Sequence, residues 1–202
     1  MTELSEIQHH KLSVLLETAS GFFAKAFDAS CCLNSTRILV KIIKDRMHMK
    51  VRPLSVTATI FNPLMIEKGR PPANQQEGEQ WRDEGCWMMV VGSRDEYRPG
   101  RWPGHLVALV YDCCIVDCSI TQANRPAKNI MMRPLIVPVR DERFLRAESA
   151  LLVPELVNGC KVFYDAFPED KSWSRTPGWC RPDRTGQDIE GRIWREYRRK
   201  MG

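Results

Sequence analysis

The chain has 202 residues, 43% hydrophobic and 27% charged, with a net charge of +5. That is enough length for a buried core and an ordinary composition for a water-soluble globular chain. No apolar run approaches the roughly 18–20 residues of a membrane helix, which sets membrane partners aside.

The opening MTELSEIQHHKLSVLLETAS has no basic segment followed by an apolar one, so no signal peptide is expected. The eight cysteines are then expected as reduced thiols in a cytoplasmic protein. The first helix is predicted over 6–27, from the helical spacing of Ile7, Leu12, Leu15, Leu16, Phe22, Phe23 and Phe27, with Gly21 bending or breaking it. Asp28 and Ser30 offer N-caps to a second helix, CCLNSTRILVKIIKDRM, striped with Leu33, Leu39, Ile42, Ile43 and Met47. Residues 51–61 alternate, with Leu54, Val56, Ala58 and Ile60 on one face and Ser55, Thr57 and Thr59 on the other, which predicts a strand. Residues 62–85 are rich in Pro, Gly, Gln and Glu and read as a long loop.

Further strands are expected at 86–92, 105–112, 114–120, 135–139 and 160–164, with a helix at 141–152. Residues 168–185 read as loop, and 186–199 as a final basic helix. Helices followed by mostly antiparallel strands define an α+β chain. The last helix, within GRIWREYRRKMG, carries much of the positive excess. Arg and Lys at a helix end complement the macrodipole, and no aromatic-interleaved basic patch accompanies them, so nucleic acid is the disfavoured partner, with salt-dependent binding through this helix as a third reading. Cys113, Cys114 and Cys118 cluster without a matching second pair of ligands, and strand cysteines serve as small hydrophobes; no metal site and no organic cofactor are expected.

Three positions carry chemistry. A cysteine, Cys31 or Cys32, stands where the second helix begins. There the dipole and unpaired N–H groups favour thiolate and can stabilise an oxyanion. His105 is a titratable ring at the mouth of the apolar strand HLVALV. Asp117 lies inside CCIVDCSIT, where a carboxylate is costly to bury without a partner. A hairpin turning at 110–112 would pair 109 with 113 and 105 with 117. That puts both side chains on one face about 4.5–5.5 Å apart at Cβ, so that Asp117 orients a base that faces a thiol. Taken singly, each of the three has a plainer reading: core thiol, satisfied strand histidine, turn cap. His48 at a helix C-terminus reads as structural, and His9 and His10 as exposed. Trp102 either walls the site or simply buries its ring. Gln122 either donates to an oxyanion or substrate, or caps a strand end. Gly104 is expected to let the helix carrying the cysteine approach closely.

The order helix-borne Cys, strand His, next-strand Asp resembles the transglutaminase-like branch of the papain-like cysteine enzymes. The stretches SCCLNSTRILVKII, VRPLSVTATIFNP and GHLVALVYDCCIVDCSITQANRP are similar to a poorly characterised group of bacterial and phage proteins within it. The similarity covers residues 28–139. It implies a papain-like or transglutaminase-like core, with N-terminal helices packed on the sheet and residues 140–202 as an elaboration of one domain spanning 1–202. It also selects Cys32 over Cys31 as nucleophile, with His105 as base and Asp117 as orienter. The implied activity is acyl transfer from a protein or peptide-like amide through a thioester, without a cofactor. The alternative is a catalytically inactive binding module of the same fold, a phage or bacterial regulator of a host protein, meeting its partner through residues 62–85 and the basic C-terminal helix.

Overall fold

The computed structural model describes residues 3–27, 32–92, 102, 104–180 and 184–202, apart from the side chains of 184–187. The architecture is α+β: helices pack against a seven-stranded sheet of antiparallel pairs.

Helix α1 spans Glu6–Ala26 and opens on a capping box, in which the Ser5 hydroxyl accepts from Gln8 N–H while the Gln8 side chain accepts from Ser5 N–H. It runs unbroken through Gly21, where an added methyl would meet no atom within 4 Å. The expected break is absent because the helix is held on both sides of the glycine by Leu12, Leu15, Leu16 and Phe23, all buried. Helix α2 spans Cys32–Asp45. The candidate caps Asp28 and Ser30 and the alternative nucleophile Cys31 lie outside the described residues.

Strand β1, Val51–Phe61, matches the alternating segment. Its two edges organise the sheet. On one edge β7 (Lys161–Ala166) pairs along Val56–Phe61. On the other, β3 (His105–Val110) pairs along Val51–Val56 and β2 (Met88–Val91) along Ala58–Phe61. Strands β2 and β3 therefore stand end to end beside β1. Beyond β3 come β4 (Cys114–Asp117) and β5 (Leu135–Pro138); beyond β7 comes β6 (Leu151–Leu152).

The even-numbered residues of β1 face one core, shared with Val107, Leu109, Ile115, Phe144 and Tyr164. The opposite face, at Ala108, Val110 and Val116, lies under α1, α2 and α7 (Arg184–Met201). Each of the fully buried Leu39, Ile42 and Ile43 of α2 contributes about 1.5–3 kcal/mol of apolar burial. All six residues of β3 are buried, as expected of a strand covered on both faces.

Three expected elements are corrected. Residues 62–85 are not a long loop. They hold α3 (Pro63–Glu67), capped by Asn62 with Pro at its first turn, and α4 (Gln75–Asp83), capped by Asn74. Only Trp81 of α4 is buried, so the segment shows almost no apolar period. The helix expected over 141–152 is a single turn, α5 (Glu142–Leu145). Ala147 takes a left-handed φ of 59°, which ends it, and Leu151–Leu152 pairs with β7 instead. The loop expected at 168–185 holds a 3-10 turn, Ser172–Arg175, and one turn of helix, α6 (Pro177–Cys180).

The β3–β4 register is also corrected. Leu109 pairs with Ile115, not Cys113, and Val110 with Cys114. The reversal takes one residue beyond Tyr111 and Asp112, whose φ values are 49° and 56°, and closes with Cys113 N–H donating to Val110 O at 3.0 Å. Lys50 and Arg52 both donate to the Asp112 carboxylate, at 2.7 and 2.9 Å, and so hold the turn against β1. The register moves by two residues, so parity survives. His105 and Asp117 share a face as diagonal rather than opposed neighbours, still within side-chain reach.

Candidate active site

His105 opens β3 and pairs with Val56 of β1. Its ring is fully buried. Nε2–H donates to Asp117 Oδ2 at 2.7 Å. The other oxygen of Asp117 accepts from Ser119 N–H and Ile120 N–H, both at 3.0 Å, and from the Ser119 hydroxyl at 3.3 Å. Tyr164 O–H donates to Oδ2 at 2.9 Å. The partner that Asp117 needed for burial is therefore His105, and the turn after β4 together with Tyr164 supplies the remaining donors.

The Tyr164 contact also reports the shape of the sheet. Strands β7 and β4 are separated by β1 and β3. In a flat sheet that separation is about 14 Å, three spacings of about 4.8 Å. A direct hydrogen bond requires the sheet to curl around this core. Burial and then the adjacent Asp117 carboxylate push the Tyr164 phenol well above its ordinary range, so it stays a neutral donor. Replacing Tyr164 by Phe is expected to cost about 1.5–3 kcal/mol, the worth of a buried hydrogen bond to a charged acceptor. Urea unfolding checks this, and a loss below about 0.5 kcal/mol would show that the phenol does not support Asp117.

Cys32 is the first residue of α2. Its thiol lies 3.8 Å from the Gly104 carbonyl oxygen and near enough to the His105 ring to help raise its pKa. One turn further along α2, the Thr36 hydroxyl donates to Leu106 O at 2.6 Å. That bond pins the helix to the strand beside the ring. Burial pulls the His105 pKa down, but Asp117 and then Cys32 outweigh it and push it up to about 10. The same pairing holds the Asp117 carboxyl below its usual range, although burial alone would raise it.

Gln122 sits in a 3-10 turn after β4, with Nε2 at 3.1 Å from His105 Nδ1. In the neutral ring with its proton on Nε2, Nδ1 accepts from the amide. Half a turn of the amide presents Oε1 in the same place, where it accepts from the Nδ1–H of the imidazolium. Gln122 therefore contacts the base in either charge state; it is not a strand-end cap.

Trp102 is 8% exposed and packs with Cys32 and Leu106, so it both walls the site and buries its ring. Its indole N–H donates to Asp170 Oδ2 at 3.4 Å, and the Ser55 hydroxyl donates to the same oxygen at 3.0 Å. The reading of Gly104 is corrected here. A methyl on it would stand 2.2 Å from the Trp102 ring, so the space serves that indole and not α2.

Several site residues were missed in the sequence. Trp173 and Trp179, edge-to-face at 4.4 Å, pack against Cys32, Trp102 and Leu106. Gly92, with φ 82°, lies so close to β3 that a methyl would stand 2.4 Å from His105 N. The glycine ending the apolar run MMVVG was a signal for such close approach; nothing in the sequence near Tyr164 or Asp170 was. Among the described residues no three His, Cys, Asp or Glu side chains gather as a metal cluster, and no helix is long and apolar enough to cross a membrane.

No family model, curated protein or solved structure matches the chain. The site's own geometry is therefore what bears on function.

Proposed function

We propose that the chain is a cysteine-dependent acyl-transfer enzyme of transglutaminase-like or papain-like architecture, working on a protein or peptide-like amide. The observation that carries this reading is the convergence of Cys32, His105 and Asp117: a helix-terminal thiol on a ring whose far nitrogen is held by a buried carboxylate. Cys32 Sγ attacks the carbonyl carbon, and N–H groups of the first turn of α2 receive the oxyanion. The Gln122 amide, beside the ring at Nδ1, is a side-chain donor that can assist them. His105 gives its proton to the leaving amine, which departs as the thioester forms. Water or an amine then attacks the thioester carbonyl, His105 takes its proton, and Cys32 is released. Asp117 keeps the ring oriented and balances its charge throughout.

Thiol alkylation by iodoacetamide, mapped by mass spectrometry across pH, tests this. Cys180 is exposed and serves as the internal standard. Cys32 is expected to react at least about tenfold faster than Cys180 at pH 6, and His105→Ala is expected to remove the advantage.

A second reading is favoured by one observation: the thiol is only 9% exposed, beneath tryptophans. A non-catalytic binding module for a host protein fits that packing. If Cys32 reacts no faster than Cys180 in the wild type, this second reading replaces the first.

A further inference from the structure

The helix side of the sheet is covered by α2 only over β3 and the first half of β1. On β1, Ser55, Thr57, Thr59 and Phe61 point to that side, since Ser55 pairs with Leu106, which packs on Cys32. Val90 and Phe163 join the same face through their pairing with Thr59, and Met88 and Lys161 through Phe61. Ser55 and the thiol are buried beneath the tryptophans, and the far part of this face is exposed: Met88 is 54% exposed and Val90 42%.

At its far end the face becomes a trough of about 690 Å³. Phe61, Phe163 and Met88 form the floor, and Trp81 of α4 stands in the wall. The charged side chains lining it are Arg70, Arg82 and Lys161, without a carboxylate among them. Arg70 is paired with Glu77. Neither Arg82 nor Lys161 has a carboxylate partner among the described residues; the Lys161 ammonium lies over the Phe163 ring, 5.4 Å from its centroid. Nearer the thiol, Asp165 pairs with Thr57 and brings a negative charge to the same face. The face thus runs from negative near the reacting end to apolar and positive at the far end.

We infer that this trough is the recognition subsite for the polypeptide acted on at Cys32, and that it takes an extended segment bearing a large apolar side chain flanked by carboxylates. The inference rests on the acyl-transfer reading for what happens at the thiol, but the binding itself does not require turnover. From Val56, opposite His105, to Phe61 is five residues of strand, about 17 Å. The acidic-apolar anchor therefore lies about five extended residues from the reacting carbonyl. Apolar floor supplies the affinity and the unpaired cations supply the choice of sign.

Fluorescence anisotropy with Cys32→Ser protein tests this with three fluorescein-labelled tetrapeptides: Glu-Phe-Glu-Phe, Lys-Phe-Lys-Phe and Glu-Ser-Glu-Ser. The first is expected to bind at least about tenfold more tightly than either of the others. Arg82→Glu with Lys161→Glu is expected to invert the preference between the first two. The milder Arg82→Gln with Lys161→Gln is expected to abolish it with an unchanged urea midpoint. Equal binding of the three peptides, no binding at millimolar concentration, or an unaltered preference in both variants overturns the proposal. So does a self-association that the peptide does not disturb and Met88→Glu dissolves, which would assign the face to a second copy of the chain. Iodoacetamide reactivity of Cys32 is blind to the trough. Failure of peptide binding therefore leaves the acyl-transfer reading standing, and failure of alkylation leaves a peptide-binding module.

Discussion

Asp117→Asn is expected to lower stability by about 3–5 kcal/mol, the cost of breaking a buried ion pair by removing one partner. The side chain accepts from His105, Tyr164, Ser119 and Ile120 at once. An amide has one acceptor oxygen, so its NH2 group would face donors. The His105 ring would also lose the charge that keeps it protonated. Burial, the largest influence on that ring, lowers its pKa, so the variant disfavours the imidazolium. Urea unfolding measures the stability loss, and the iodoacetamide rate of Cys32 should fall with it. A loss below about 1 kcal/mol would show that the carboxylate is not the centre of this network.

The wild-type pH profile carries the same signature. The His105 pKa is raised from 6.5 to about 10, so its contribution is complete below about pH 6.5 and is lost as pH rises through 10. The Asp117 pKa is lowered from 3.8, so the same interaction is complete above about pH 3.8 and is lost as pH falls through the depressed value. The pair therefore stabilises most between about pH 4 and 6.5, and Asp117→Asn should remove this dependence.

Gly92→Ala is expected to be nearly as damaging, by about 2–4 kcal/mol. Its φ of 82° is strained for any side chain, and the methyl would meet the backbone nitrogen of His105 at 2.4 Å and its Cβ at 2.8 Å. Backbone cannot swing away as a flexible side-chain tip does, so the start of β3 must shift, and the ring with it. Thermal unfolding and Cys32 alkylation should both report the change. Gly21→Ala is the control. It lies within a helix with no atom within 4 Å and should raise stability by about 0.5–1 kcal/mol. Equal effects at the two glycines would mean that the contact with His105 carries no constraint.

The parts of the molecule that were legible in sequence are those whose cause is local. The alternation of β1 follows from one face meeting a core. Cys32, His105 and Asp117 stood out because ionisable or reactive side chains beside apolar runs need a reason. The parity argument for the hairpin held, since a two-residue shift preserves faces, while the register itself depended on Cys113 joining the turn. Helix α4 was hidden by its polarity and α3 by its length of five residues, and their only local marks were Asn62-Pro63 and Asn74. Tyr164, Asp170 and the pair Trp173 and Trp179 reach the site from the last third of the chain. They do so through the placement of β7 beside β1 and the curl of the sheet, which no nearby residue announces.

The end-to-end arrangement of β2 and β3 has a consequence for how the protein can vary. The chain leaves β1's edge at Gly92 and returns at Gly104, and a methyl on Gly92 would stand 2.9 Å from the Gly104 carbonyl carbon. Two chain positions already in contact form a natural port. Sequence inserted between them must close a loop whose ends coincide, and each doubling of its length adds only about 0.6 kcal/mol. Lineages or engineers can therefore insert sequence between Gly92 and Trp102, at the threshold of His105, while Trp102 keeps its place against Cys32 and the β1–β3 ladder that holds the ring stays in register.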